Sequence, residues 1–308
     1  CERGEALEQH LPHLSPETAP RHLLMMSKGH SNAKHCDWWR QPRGLLTEAT
    51  RVSYSVVVRG EWDDDDAAPA PGPPKHAAYG PFDGPDWPLS RLTAARDYDD
   101  SSLVYPHAFS VPYPSDVHWG ADGGVGPWAR VDRPRRFMAS FLGDIHGKYG
   151  VAVRQRIVEV CKAAGEPACL HANMATLSKL QKQQAKHAKK DDSVVKGHCR
   201  FKRYKQDAIF CLEPGGDSPY RKSLSDDIAM GCIPVVFSPY LQLVDPWHWD
   251  HFRNDSHVYI NREDFLEGRL DLFDVLQRLV DSGEARRMQH VIARHGHAFQ
   301  YSLRDYPG

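Results

Sequence analysis

The residues best suited to chemistry lie in one stretch, Phe210-Cys211-Leu212-Glu213-Pro214-Gly215-Gly216-Asp217-Ser218-Pro219-Tyr220-Arg221-Lys222-Ser223. An apolar run that reads as a buried strand gives way to a proline–glycine turn, then to serine, proline and two cations. Ser218 suits a helix N-cap, and Pro219 suits the first helical position, whose N–H has no intrahelical partner. Gly215 and Gly216 let the backbone turn tightly and approach a ligand. In a parallel sheet such a loop stands at the carboxyl end of its strand, where ligands bind. Unpaired N–H groups and the positive end of the helix favour a phosphate there. Arg221 falls in the first helical turn, where a cation opposes the helix dipole unless an anion is present. Its planar fork of donors matches phosphate geometry. The chemistry expected of this pattern is the holding of a phosphorylated group, although an ordinary capped strand–helix loop shares much of it.

The elements that must position this loop alternate strand and helix. Phe137–Leu142 reads as a strand, Gly143–Gly150 as a glycine-bearing loop and Val151–Cys161 as a helix. A helix over Met174–Lys190 carries lysines at 179, 182, 186 and 189 on one face. Strand Ala208–Leu212 follows, then a helix over Pro219–Met230 with Leu224 and Ile228 on its core face, and strand Ile233–Phe237. A short strand Val258–Ile260 precedes a helix around Phe265–Val280, and a last helix after about 285 is expected to return to the first domain. Such alternation implies a parallel sheet with helices on both faces. Nearer the start, Leu23–Met26 and the β-branched run Val52–Val58 read as strands, and Phe109–Pro114 ends a strand in a proline-defined turn. Residues 60–90 hold Asp63–Asp66 and many prolines, an insertion unable to bury a core. At ~150 residues per domain the length suggests two, 1–130 and 131–308.

Composition excludes several classes. With a formal net charge of −1 the chain is not a polycation built for nucleic acid. Lys179–Lys205 does hold ten Lys/Arg against two Asp, but without the aromatic interleaving of a nucleic-acid groove. It reads as a solvated face, or as a surface for an acidic glycan or phosphates. No run of 18 apolar residues would span a membrane. The chain begins at Cys1, not Met, and reads as a fragment, which leaves an N-terminal anchor open. None of its seven cysteines forms C-x-x-C, and H-E-x-x-H is absent, so zinc is not expected. Asp63–Asp66 could imitate a metal-binding D-x-D, yet its Pro/Ala surroundings hold no geometry, and Gly120–Gly126 is not a dinucleotide fingerprint. Cys161 and Cys169 flank a short loop with Gly165 and Pro167 and are expected to form a disulfide, while Cys211 and Cys232 are expected to be free core thiols.

Phe210–Ser223, followed by Asp226 and Gly231–Val235, resembles the donor-site signature of the exostosin family, glycosyltransferase family 47: F-C-L-x-P-x-G-D-(S/T)-x-x-R-x-S-x-x-D-A-(I/L)-x-x-G-C-I-P-V. The chain departs from it at the alanine, which is Asp227 here. Arg136–Gly143, Arg154 and Cys161 resemble the family's R-x-(F/Y)-L-x-x-F-x-G … R … C stretch, and Val111–Ser115 with His118 its I-P-Y-P-x-x-x-H turn. Leu11-Pro12 and His22-Leu23-Leu24 are similar to its L-P-(Y/F)-W … D-H-(F/L)-(F/L) segment, with His13, Leu14 and Arg21 as departures. The resemblance covers about 10–280, less the insertion.

The resemblance implies an α/β fold of GT-B type, two Rossmann-like domains facing across a cleft, the acceptor side in 1–130 and the donor side in 131–308. It implies an inverting glycosyltransferase, hexosyl or pentosyl, moving a sugar from a nucleotide-sugar such as a UDP-sugar to a glycan or glycoprotein. A catalytically silent sugar- or nucleotide-binding partner of an active enzyme is the alternative. Donor-binding residues are then Gly215, Gly216, Asp217, Ser218, Arg221, Ser223 and Asp226. Asp226 would orient the helix or a ribose hydroxyl. Inversion needs a base for the acceptor hydroxyl. The family's His-Asp-Trp motif maps without a gap to Lys28-Gly29-His30 or, with a short insertion, to His35-Cys36-Asp37-Trp38; Asp144 and His146 are further candidates. No metal or cofactor is expected beyond the donor itself. The expected setting is the Golgi lumen, as a type II membrane protein, alone or in a homo- or hetero-oligomer and without nucleic acid.

Overall fold

The computed structural model describes residues 13–21, 23–26, 50–53, 108–115, 131–145, 151–173, 204–216, 220–238, 241 and 244–301. His30, His35, Asp37, His146, Asp217, Ser218, the 60–90 insertion, Gly120–Gly126 and the expected 174–190 helix lie outside the described residues.

The α/β class is as expected, with two sheets, each parallel throughout. Strands β1 (Leu23–Met26), β2 (Thr50–Ser53) and β3 (Ala108–Ser110) form a three-stranded sheet in the order β1-β2-β3. The second sheet contains β4 (Phe137–Leu142), β5 (Cys169–Ala172), β6 (Ala208–Glu213), β7 (Ile233–Val236) and β8 (Val258–Tyr259). Its order is β5-β4-β6-β7-β8. All four residues of β7, and five of the six in β6, are buried. A parallel strand covered on both faces has no polar side to show, so these runs are apolar almost without a break.

That strand order creates a topological switch point. From β4 the chain steps outward to β5 on one side, then crosses to β6 on the other. The loops leaving β4 and β6 therefore diverge from adjacent carboxyl ends, where an open α/β sheet forms its ligand crevice. Helix α1 (Val151–Ala164) makes the β4-to-β5 crossover and buries Val153, Ile157, Val158 and Cys161, one stripe at helical spacing. The turn after it contains Gly165 at φ +64° and is closed by the expected Cys161–Cys169 disulfide, with Cα atoms 5.1 Å apart.

Four expectations need correction. Helix α2 spans Lys222–Ala229, not Pro219–Met230, and Arg221 is its N-cap in extended backbone (φ −130°, ψ 153°). Tyr220 is buried with its hydroxyl donating to Asp245, so the chain places that ring before the helix begins. Cys211 and Cys232 are not free thiols but a disulfide, Cα atoms 5.8 Å apart. The register pairs Cys211 with Pro234, two residues beyond Cys232, which brings the two within bridging distance. The expected helix around Phe265–Val280 is two. After α3 (Pro246–Trp249), α4 (Arg262–Leu266) ends before Gly268 at φ +72°, and α5 (Leu272–Asp281) starts afresh with Asp271 accepting from the Asp274 N–H at 3.0 Å. Finally, α6 (Glu284–His295) does not return to the first sheet; Ala285, Met288 and Ile292 join the core of the second. Among the described residues no helix is long and apolar enough to cross a membrane.

Candidate functional site

The loops after β4 and β6 meet at one side chain, Arg154, near the start of α1. Its Nη1 donates to the Asp144 carbonyl at 2.6 Å. Its Nε donates to the Gly215 carbonyl at 2.8 Å, and Nη2 donates to that same oxygen. The guanidinium lies over the Phe141 ring, 5.6 Å from its centroid. One arginine thus spends its planar fork on joining the two lips of the switch point.

The close approach explains the glycines. A Cβ on Gly143 would lie 3.2 Å from the Phe141 ring and 3.3 Å from Arg154 Nη1. A Cβ on Gly216 would lie 3.0 Å from Arg154 Nη2 and 3.2 Å from Arg221 Nε. Gly215 has φ +84°, a backbone conformation L side chains rarely adopt. Two guanidinium groups, Arg154 from α1 and Arg221 from the cap of α2, therefore crowd the space where a Gly216 side chain would stand. No acidic residue stands in the first turn of α2, and its N-cap makes no side-chain capping bond. Two like charges beside the positive end of a helix repel one another, and an anion seated among them relieves that repulsion.

Beneath the loop its two feet are fastened together. Ser223 Oγ donates to Glu213 Oε2, tying the first turn of α2 to the last residue of β6. Lys205, buried, donates to Glu213 Oε1 at 3.3 Å, to the Ser223 carbonyl at 3.1 Å, and to Asp227 Oδ1. Burial and the neighbouring Glu213 push the Asp227 carboxyl well above the usual carboxylate range. The two carboxyls hold the Lys205 ammonium above its ordinary value despite its burial.

Asp226 precedes Asp227 on α2. Its carboxylate accepts from Lys222 Nζ at 2.9 Å on both oxygens, and from Ser115 Oγ at 2.7 Å. Ser115 belongs to the proline turn after β3, and Tyr113 of that turn meets Tyr220 edge-on at 5.3 Å between ring centroids. Asp226 thus orients α2 against the first half of the chain, and Ser223 faces the foot of the loop. Gly215, Gly216 and Arg221 line the crevice lip.

Asp144 is the described member of the base candidates, and it stands at the carboxyl end of β4. Beside it His171, at the carboxyl end of β5, stacks on Phe141 with 5.6 Å between centroids and faces the Gly143 carbonyl at 3.4 Å. Burial pushes its imidazole below the ordinary histidine value, towards the neutral form. The sequence alone does not mark His171 or Lys205 as site residues, and it marks Arg154 only through the resemblance.

The family model described as the exostosin GT47 domain matches residues 20–252. Xyloglucan-specific galacturonosyltransferase 1 of Arabidopsis thaliana is 29% identical over 170 residues, covering 54% of this chain and 23% of that protein. Probable xyloglucan galactosyltransferase GT13 of the same plant is 31% identical over 188 residues, 59% of this chain and 36% of its own length. Xyloglucan galactosyltransferase MUR3, also from Arabidopsis thaliana, is 27% identical over 206 residues, 63% of this chain and 30% of its own. The chain thus spans well under half the length of these relatives. A solved structure, the pneumococcal O-GlcNAc transferase GtfA with UDP and GlcNAc, covers 83% of this chain and 50% of its own at 9% identity and TM-score 0.35, a superposition too loose to carry an inference.

Proposed function

Because the chain belongs to the exostosin GT47 family, we propose that it is an inverting glycosyltransferase moving a sugar from a nucleotide-sugar, a UDP-sugar, to a glycan acceptor. The observation that carries the reading is the meeting of Arg154 and Arg221 at the Cβ position of Gly216, beside the sheet's switch point. In this reading the acceptor hydroxyl attacks the anomeric carbon as a base takes its proton. The bond from that carbon to the diphosphate breaks, and its electron pair leaves with the diphosphate. Arg221 and the N-terminus of α2 meet that growing charge; Arg154 holds the loop that presents them. Asp144, His35 and Asp37 are the base candidates, and Asp217 and Ser218 complete the donor loop.

Residues 1–130 form the acceptor side and 131–308 the donor side of a GT-B cleft. A cationic site does the work of a metal, so none is required. The protein acts in the Golgi lumen, held by an N-terminal anchor. The relatives named above are xyloglucan galactosyl- and galacturonosyltransferases, which supports a polysaccharide acceptor. The test is incubation with a panel of UDP- and GDP-sugars and xyloglucan oligosaccharides, with mass-spectrometric product analysis. Transfer supports the enzyme. Donor binding without turnover supports a silent partner instead, and neither binding nor turnover overturns both.

A further inference from the structure

Asp227 is a fully buried carboxyl in the middle of α2, and its Oδ2 has no hydrogen-bond partner. A core helix position gains nothing from an acid there unless a cation faces it, and burying the charge alone is expensive. Lys205, from the helical turn at 204–206 that precedes β6, is that cation. Its ammonium has three donors, and the three acceptors it meets are Asp227 in α2, the Ser223 carbonyl in the first turn of α2, and Glu213 at the end of β6. These acceptors bracket the glycine loop: Glu213 precedes it, and Ser223 and Asp227 follow it.

We propose that Lys205 is a positioning residue for the glycine loop, holding the end of β6 and the start of α2 at a fixed separation through its coupling to Asp227 and Glu213. The distance between those feet sets where Gly216 and Arg221 stand relative to Arg154. Asp227 is needed because a single carboxylate at Glu213 would hold Lys205 to the strand and leave the helix side of the loop tied by one carbonyl. The inference deepens the proposed function and rests on it for the nature of the ligand; the loop geometry itself does not.

The test is hydrogen–deuterium exchange across 213–223 in the full chain and in three variants: Lys205→Met, Asp227→Ala, and the two combined. Lys205→Met leaves two buried carboxyls without a cation, and exchange in the loop is expected to speed up by at least about tenfold while that of β4 and β7 stays near wild type. Adding Asp227→Ala removes one of the two uncompensated acids but leaves the feet untied, so global stability is expected to recover in part while exchange in 213–223 stays fast. Asp227→Ala alone leaves Lys205 on Glu213 and the Ser223 carbonyl and is expected to speed loop exchange less than Lys205→Met. UDP affinity is expected to fall in the order of loop exchange. Uniform acceleration across the sheet, or loop protection at the wild-type level in the double variant, overturns the proposal. Where Lys205→Met does not fold, Asp227→Ala carries the test: faster exchange confined to 213–223 supports the proposal, and wild-type exchange there overturns it. If the wild-type chain binds no UDP, the functional reading fails, while the exchange pattern still decides the coupling.

Discussion

Arg221 caps α2 with its side chain beside Gly216, partly exposed and outside the buried core. Arg221→Ala is therefore expected to leave the fold intact and to lower kcat by about 100- to 1000-fold, the usual effect of losing one preorganised donor to developing charge. Arg221→Lys is expected to recover part of the loss, since a point charge cannot supply a fork. Steady-state kinetics at saturating donor reads both. Gly216→Ala puts a methyl group 3.0 Å from Nη2 of Arg154, a guanidinium held in place by three hydrogen bonds, and 3.2 Å from Arg221 Nε. The expected result is about a tenfold weaker donor with little change in melting temperature, since the strain falls on the lip and not on the core. Asp227 gives a pH dependence. The groups facing it are Lys205 and Glu213, with Lys205 kept charged. Its raised value means the folded chain keeps a proton that the unfolded chain releases. Its contribution to stability is greatest below the ordinary carboxylate value of 3.8 and is lost as pH rises above it. Asp227→Asn mimics the protonated form, so its melting temperature should gain on wild type as pH rises above the ordinary carboxylate value. A constant difference would contradict the shift.

The strands and the loop between β6 and α2 can be read from apolar runs, prolines and glycines, because those signals are local. β4 begins and ends where the apolar run Phe137–Leu142 does. The start of α2 is less local. Ser218-Pro219 has the form of a helix start, but burial of Tyr220 against Asp245 delays the helix to Lys222. The role of Arg154 depends on Gly215, 61 residues away, and that of Lys205 on Asp227, 22 away; periodicity does not reach across such distances. The Cys211–Cys232 bridge has the same character, since it follows from the β6–β7 register. It spans 21 residues that include the whole glycine loop and α2. Cys232→Ser is expected to cost about 2–4 kcal/mol in urea unfolding, and reductant should abolish the difference from wild type. Unchanged stability would show that the strands need no such brace.

At the scale of the molecule, the proline turn after β3 docks on the second sheet. Ser115 reaches Asp226, Tyr113 packs on Tyr220, and the Tyr301 hydroxyl donates to the Pro112 carbonyl. The first half of the chain is thus attached beside the helix whose N-terminus faces the crevice, which suits an acceptor delivered to a donor. In the proposed metal-free mechanism, transfer is expected to persist in excess EDTA; loss restored by manganese would refute that part. The central claim is that the switch-point loop holds a nucleoside diphosphate. Calorimetric titration of UDP into the wild-type chain and Arg221→Ala, both in EDTA, tests it most directly. A charge-assisted contact of about 1.5–3 kcal/mol predicts binding by wild type and a Kd raised roughly 10- to 150-fold in the variant. Equal affinity in the two folded proteins would contradict it.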